Sequence, residues 1–193
     1  MPPSRTLSSP SLPSNSPGTV LLETKRLIIR RWDPSKDAPA LAQAANHPAI
    51  TLNLRDRFPM PYTLADAEHY LNNYAPPLVI GGVSLDPKGD VYYRTWELGY
   101  WLTPSAWGKG YATELVGALV VWCFATWPRL NRIEAVAYGR NEASKAVLRK
   151  CGFTLEGVRR AAVEKNGEVL DESVWGILRT DIEELLEPSS LGN

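Results

Sequence analysis

The segment Trp101-Leu-Thr-Pro-Ser-Ala-Trp-Gly-Lys-Gly-Tyr-Ala-Thr-Glu114 restricts the possible folds of this chain more than any other stretch. Before it, Thr95 to Thr103 is rich in Trp and Tyr and reads as a strand; after it, a long apolar run beginning near Lys109 reads as a helix. A loop holding Gly108 and Gly110 joins the two. The first N–H groups of a helix have no intrahelical acceptor, and the macrodipole places about half a positive charge there. Strand, glycine loop and helix in this order predict a backbone anion site suited to a pyrophosphate.

At 193 residues, 44% hydrophobic and 22% charged, the chain fits one globular domain with a sizeable core. Lys plus Arg equals Asp plus Glu at 21 each, which gives no reason to expect nucleic acid as a partner. Cys123 and Cys151 fall in segments that read as helix, so a disulfide framework is disfavoured and a reducing, cytoplasmic location is expected. Two histidines, His47 and His69, without any Cys-x-x-Cys, predict no metal site. Leu115 to Ala125, the longest apolar run, is shorter than the roughly 18 residues of a membrane span, so no membrane partner is expected. Residues 1–19 are rich in Ser and Pro and lack the apolar core of a secretory signal; they read as a disordered tail. Residues 20–187 read as the folded domain, and 188–193 as a short C-terminal tail.

Within the domain, Leu21 to Trp32 reads as one strand. Asp33-Pro34-Ser35 turns the chain and caps a helix from Lys36 to Asn46, with Pro39 in its first turn. Thr63 caps a second helix, Leu64 to Tyr74, which Pro76-Pro77 ends. Leu78 to Leu85 is β-like, Asp86 to Gly89 a turn, and Val91 to Leu102 a long strand. A helix Gly110 to Thr126, a strand Asn131 to Tyr138 and a helix Ala143 to Cys151 closed by Gly152 follow. Val158 to Lys165 and Val169 to Leu178 flank Asn166-Gly167, a hairpin signal. This order predicts an α+β, or mixed α/β, fold.

Three phosphate-loop patterns compete for Gly108 and Gly110. A P-loop requires Gly-x4-Gly-Lys-Ser/Thr, but Lys109 is followed by Gly110. A dinucleotide fingerprint requires a third glycine where Thr113 stands. The third is Gln/Arg-x-x-Gly-x-Gly/Ala, whose second half Trp107-Gly-Lys-Gly-Tyr-Ala112 matches. With Glu97-Leu-Gly-Tyr-Trp-Leu102, Asn141-Glu-Ala-Ser144 and Lys150-Cys-Gly-Phe153, the chain resembles the GCN5-related N-acetyltransferase (GNAT) superfamily. Glu23-Thr-Lys-Arg-Leu-Ile-Ile-Arg30 and the hairpin Val163 to Val174 narrow the resemblance to its ribosomal-protein N-terminal acetyltransferase branch. The likeness runs from about Leu21 to Leu186.

The resemblance implies a mixed, mostly antiparallel sheet flanked by helices, with Val91–Leu102 and Asn131–Tyr138 splayed around acetyl-CoA as co-substrate. It implies that N–H groups from Trp107 through Gly108, Lys109, Gly110, Tyr111 and Ala112 to Thr113 hold the pyrophosphate. Main-chain groups of Trp101 and Leu102 would pair with the pantetheine arm as a strand does, and one of them would face the thioester oxygen. Asn141 would bond the pantetheine arm, and Lys145 or Arg149 a phosphate.

The reaction implied is direct attack of a primary amine, on a protein N-terminus or a small molecule, on the thioester. An α-amino group is roughly one-tenth neutral at pH 7, a lysine below about one in a thousand, so a base helps the second far more. Glu97 is the candidate base, through a water, against the alternative of a cross-strand ion-pair partner. Many family members carry a tyrosine as acid where Leu148 stands here; Ser144, one turn earlier, is the candidate to hydrogen-bond the departing sulfur. Asp56, Glu164 and Asp171 are acidic residues available to draw a cationic amine.

A second departure concerns the sheet. The family's hairpin before the Gly-Gly strand has only Ala75-Pro-Pro-Leu-Val-Ile80 to form it. Either an early strand is absent, so that the opening strand pairs with Leu78–Leu85 or leaves an open edge, or a very short hairpin turns at Gly81-Gly82. The rival function is a non-catalytic acyl-CoA-binding or interaction module of the same fold.

Overall fold

The glycine loop does join a strand to a helix. The computed structural model describes residues 7–71 and 79–183. Its elements are β1 (Val20–Glu23), β2 (Ile28–Arg30), α1 (Pro34–Ala45), α2 (Pro48–Thr51), α3 (Leu64–Leu71), β3 (Gly81–Pro87), β4 (Thr95–Leu102), α4 (Tyr111–Thr126), β5 (Arg132–Tyr138), α5 (Glu142–Lys150), β6 (Thr154–Lys165) and β7 (Glu168–Leu178). The end of the second helix, Pro76-Pro77, Leu78 and the C-terminal boundary lie outside the described residues.

Five strands form a sheet in the order β3-β4-β5-β7-β6, while β1 and β2 form a sheet of their own. β4 and β5 run parallel, whereas β7 is antiparallel to both β5 and β6. The fold is therefore α+β with a mixed, mostly antiparallel sheet. The β4–β5 register ends at Glu97↔Glu134, yet β5 continues to pair with β7 as far as Tyr138↔Glu172. Past Glu97 the register gives β4 and β5 no further mutual partners among the described residues.

Several boundaries differ from the sequence reading. The opening stretch is a hairpin and not one strand, because Thr24 N donates to Leu27 O at 2.8 Å and closes a turn. Nor does it pair with β3: an apolar cleft lined by Leu27, Ile29, Val79, Ile80, Leu102 and Leu115 lies there instead. No hairpin turns at Gly81-Gly82, since β3 runs on through both to Pro87. A Cβ on Gly81 would come within 2.3 Å of the Trp101 carbonyl oxygen, so this strand contact requires glycine. Val91 belongs to a 3-10 turn, Asp90–Tyr92, and the strand starts only at Thr95. Pro39 lies inside α1 and not in its first turn, because the helix already starts at Pro34 behind the Asp33 cap. The four-residue α2, capped by His47, has too few residues for a periodic signal.

The chain divides into two compact units, Pro13–Val83 with Tyr100–Leu115, and Met1–Leu12 with Ser84–Gly99 and Val116–Asn193. In the first, Ala38, Leu41 and Ala45 of α1 and Ala67 of α3 pack with Tyr62 and Val79, and Trp32, Phe58 and Trp101 close over them. Along 13–19, Ser14 O accepts from Arg31 Nε at 2.6 Å. In the second, α4 buries Val116, Leu119, Val120, Cys123 and Phe124, pairs one turn apart as a helix set against a core requires. Alternate residues of β5, Ile133, Ala135 and Ala137, are buried as a half-covered strand requires. Ser9 Oγ donates to Thr126 O in this unit.

Candidate active site

Gly108 and Gly110 adopt φ of 69° and 78°, the left-handed region that side chains with a Cβ enter at a cost. A Cβ at Gly108 would meet nothing within 4 Å, and one at Gly110 only Arg26 Nη2 at 3.5 Å. Conformation, not crowding, selects glycine at both positions. Among the described residues, the N–H groups of Gly108, Lys109, Gly110, Tyr111 and Ala112 donate to no backbone acceptor. A row of unspent donors at the start of a 16-residue helix, with open space beside Gly108, fits a diphosphate.

The expected set of donors needs one correction. Trp107 N donates to Pro104 O at 3.1 Å, so the row begins at Gly108. The Trp107 indole is half exposed, and its Nε1 donates to Leu102 O at 2.8 Å. Trp107 therefore braces the loop against the end of β4. That bond also occupies the Leu102 carbonyl, one of the groups expected to meet pantetheine. The Trp101 carbonyl faces Gly81, and Thr103 N donates to Ile80 O at 2.8 Å, so Trp101 and Thr103 turn their main chain toward β3. By alternation, Tyr100 and Leu102 turn theirs to the opposite edge of the strand. Tyr100, which the sequence reading did not name, thus shares that edge with Leu102.

Arg26 and Glu114 were also missed as a pair. Glu114 Oε1 accepts from the Thr24 hydroxyl at 2.6 Å and from Arg26 N at 2.9 Å; its Oε2 accepts from Arg26 Nε and Nη2, both at 2.6 Å. Arg26 Nη1 donates to Lys109 O at 2.9 Å, and the guanidinium lies 4.7 Å from the centre of the Tyr111 ring. The Thr24 hydroxyl first, with Arg26, holds the Glu114 carboxyl below its usual range. The signal was present in the quoted runs Thr24-Lys-Arg26 and Thr113-Glu114, but nothing local links positions 88 residues apart.

The remaining predicted residues lie in the second unit. Asn141 caps α5, its Oδ1 accepting from Ser144 N at 3.1 Å, which leaves the Nδ2 side to donate. Lys145 Nζ donates to Gly139 O and pairs with Glu142 at 2.7 Å, so its charge is spent on the β5–α5 turn. The Arg149 guanidinium lies 5.7 Å from the Trp175 ring centre, a cation–π contact. Asn141, Ser144 and Lys145 thus share the first turn of α5. Leu148, which stands where many family members carry a tyrosine, is fully buried. Glu97 sits opposite Glu134, whose carboxylate already holds Lys88 and Arg132. Burial pushes the Cys123 and Cys151 thiols up. Among the acidic residues named for amine recruitment, Asp171 Oδ1 accepts from Ala161 N at 2.8 Å.

Comparison with known proteins bears on the family and the fold. The family described as acetyltransferase (GNAT) domain matches residues 26–154. The chain is 38% identical over 87 residues to the uncharacterized N-acetyltransferase YoaA of Bacillus subtilis (strain 168), covering 45% of this chain and 49% of that protein. It is 34% identical over 176 residues to the uncharacterized N-acetyltransferase p20 of Bacillus licheniformis, covering 83% of this chain and 97% of that one. The match thus spans about half the length of YoaA and nearly all of p20. Among solved structures, the ribosomal L7/L12 alpha-N-protein acetyltransferase RimL, in complex with coenzyme A, aligns with a TM-score of 0.71 at 22% identity. That alignment covers 82% of this chain and 98% of RimL, and it shows a shared fold. This chain belongs to the GNAT acetyltransferase family.

Proposed function

We propose that this protein transfers the acetyl group of acetyl-CoA to a primary amine by direct attack on the thioester. The observation that carries this reading is the run of unspent N–H groups from Gly108 to Ala112 at the N-terminus of α4. Family membership supplies the class of donor. Acetyl-CoA brings the activated acyl group; the chain's own residues bind and orient it. Gly108 to Ala112 hold the diphosphate, with Thr113 in the same first turn, and the outward main chain of Tyr100 with the N–H of Leu102 receives the pantetheine arm. In this reading the Asn141 amide is a further donor to the arm, and Arg149 stands ahead of Lys145 as a phosphate partner. Glu97 takes the proton of the amine through a water, and Ser144 hydrogen-bonds the departing sulfur. The likeness to RimL supports a protein N-terminus as acceptor, and a small-molecule amine is the other class. A cytoplasmic location and a folded domain over residues 20–187 belong to the same proposal.

The test starts with thermal melting in the presence of CoA, followed by thiol release and mass spectrometry with panels of N-terminal peptides and small amines. Stabilisation and acetylated product are expected. Stabilisation without product on any amine would favour the non-catalytic acyl-CoA-binding module, and no stabilisation would remove both. Glu97→Gln should lower kcat by about 10²-fold, with the greatest loss at low pH, where the amine is least neutral. An unchanged pH–rate profile would take Glu97 out of the base role.

A further inference from the structure

We infer that Arg26 is a positioning residue for the diphosphate, holding the glycine loop in its anion-binding conformation from the turn of the opening hairpin. The inference rests on the proposed acetyl-CoA site and names a part of it that touches no ligand. The geometry has three components. Arg26 Nη1 donates to the carbonyl of Lys109, the residue between the two left-handed glycines. In a trans peptide, the carbonyl and the following N–H point in opposite directions. Drawing Lys109 O toward Arg26 therefore aims the Gly110 N–H away from it, into the row of unspent donors.

The second component is the fork to Glu114. Nε and Nη2 both bind Oε2, while the main-chain N of Arg26 and the Thr24 hydroxyl bind Oε1. The carboxylate is filled from one side by the hairpin turn, so the guanidinium has a fixed base from which to hold the loop. The Tyr111 ring supports its plane at 4.7 Å.

The third is charge. Glu114 lies in the first turn of the helix whose N-terminus would bind a dianionic group. An uncompensated carboxylate there opposes the anion, and Arg26 neutralises it at 2.6 Å. The device is thus asymmetric. Loss of Arg26 frees the Lys109 carbonyl and exposes a negative charge, whereas loss of the Glu114 charge only loosens the fork.

Calorimetric titration with CoA and with pantetheine, which lacks the diphosphate, tests this without knowledge of the acceptor. Arg26→Ala should weaken CoA binding by about tenfold or more, with pantetheine binding unchanged within about twofold. Arg26→Lys keeps one charge but not the three-way reach, and should weaken CoA binding alone by about three- to tenfold. Glu114→Gln should cost less than Arg26→Ala. An equal loss for both ligands, at an unchanged melting temperature or not, would reduce Arg26 to a structural role and overturn the inference. Undiminished CoA binding in Arg26→Ala and Arg26→Lys would overturn it as well. If the unmodified protein binds no CoA, the proposed function fails first, an outcome distinct from either.

Discussion

Asp37 has the environment least suited to its chemistry. It is fully buried in α1, one oxygen accepts from Asp33 N at 3.3 Å, and Oδ1 has no hydrogen-bond partner. The Arg30 guanidinium lies 3.6 Å away, yet burial outweighs that attraction and pushes the carboxyl up to about 7. The folded-state value thus lies above the unfolded value of 3.8, so the folded protein binds the proton more tightly. The stabilisation is fully present below 3.8 and is lost as the pH rises toward 7. Asp37→Asn removes the titration and keeps the shape. Its stability relative to the unsubstituted protein should rise by roughly 2–4 kcal/mol between pH 4 and 7 and then level off. Urea melts of both proteins at several pH values measure this, and a pH-independent difference would refute it. Nothing in the sequence foretold that residue 37 is buried, because Lys36-Asp37 has the composition of a solvated first turn. Residue type likewise gave no sign that the Trp107 N–H, expected as the first donor of the loop, is spent on Pro104 O.

Elements were legible where their causes are local. Asn166-Gly167 sets the β6–β7 turn with φ of 54° and 77°, both set by residue type alone. The long α4 follows from its long apolar run. The opening hairpin was not legible, because its turn is stabilised by Glu114, whose hydroxyl donor Thr24 is 90 positions away. The cap of α5 is an intermediate case: the family resemblance made Asn141 a ligand to pantetheine, and the structure shows it as the cap. The two roles use different atoms, since the cap takes Oδ1 and a pantetheine contact would take Nδ2. Asn141→Ala should lose both, destabilising the protein by about 1 kcal/mol. Asn141→Asp keeps an accepting oxygen at the cap, where a negative charge also suits the helix dipole, and should leave the melting temperature within about 2 °C. If the amide donates to the arm, this second variant weakens CoA binding at undiminished stability. Unchanged CoA binding in Asn141→Asp would confine Asn141 to the cap.

The whole molecule decides whether acetyl passes through a protein thiol or goes straight to the amine. A covalent route needs a thiolate, and a thiolate needs an environment that lowers its pKa. Both cysteines have the opposite environment. Cys123 is fully buried in α4, and burial alone pushes its thiol up. Cys151, half-buried at the C-terminal end of α5, is also pushed up by burial, against a smaller opposing effect of the Gly117 backbone. The proposed direct transfer binds donor and acceptor at the same time, so initial rates at varied concentrations of both should give intersecting and not parallel double-reciprocal lines. Cys151→Ala should retain kcat within about twofold, and the intact mass of the protein should not change after incubation with acetyl-CoA alone. Parallel lines together with an acetylated Cys151 would replace direct transfer by a two-step route, in which Glu97 would deprotonate the amine only in the second step.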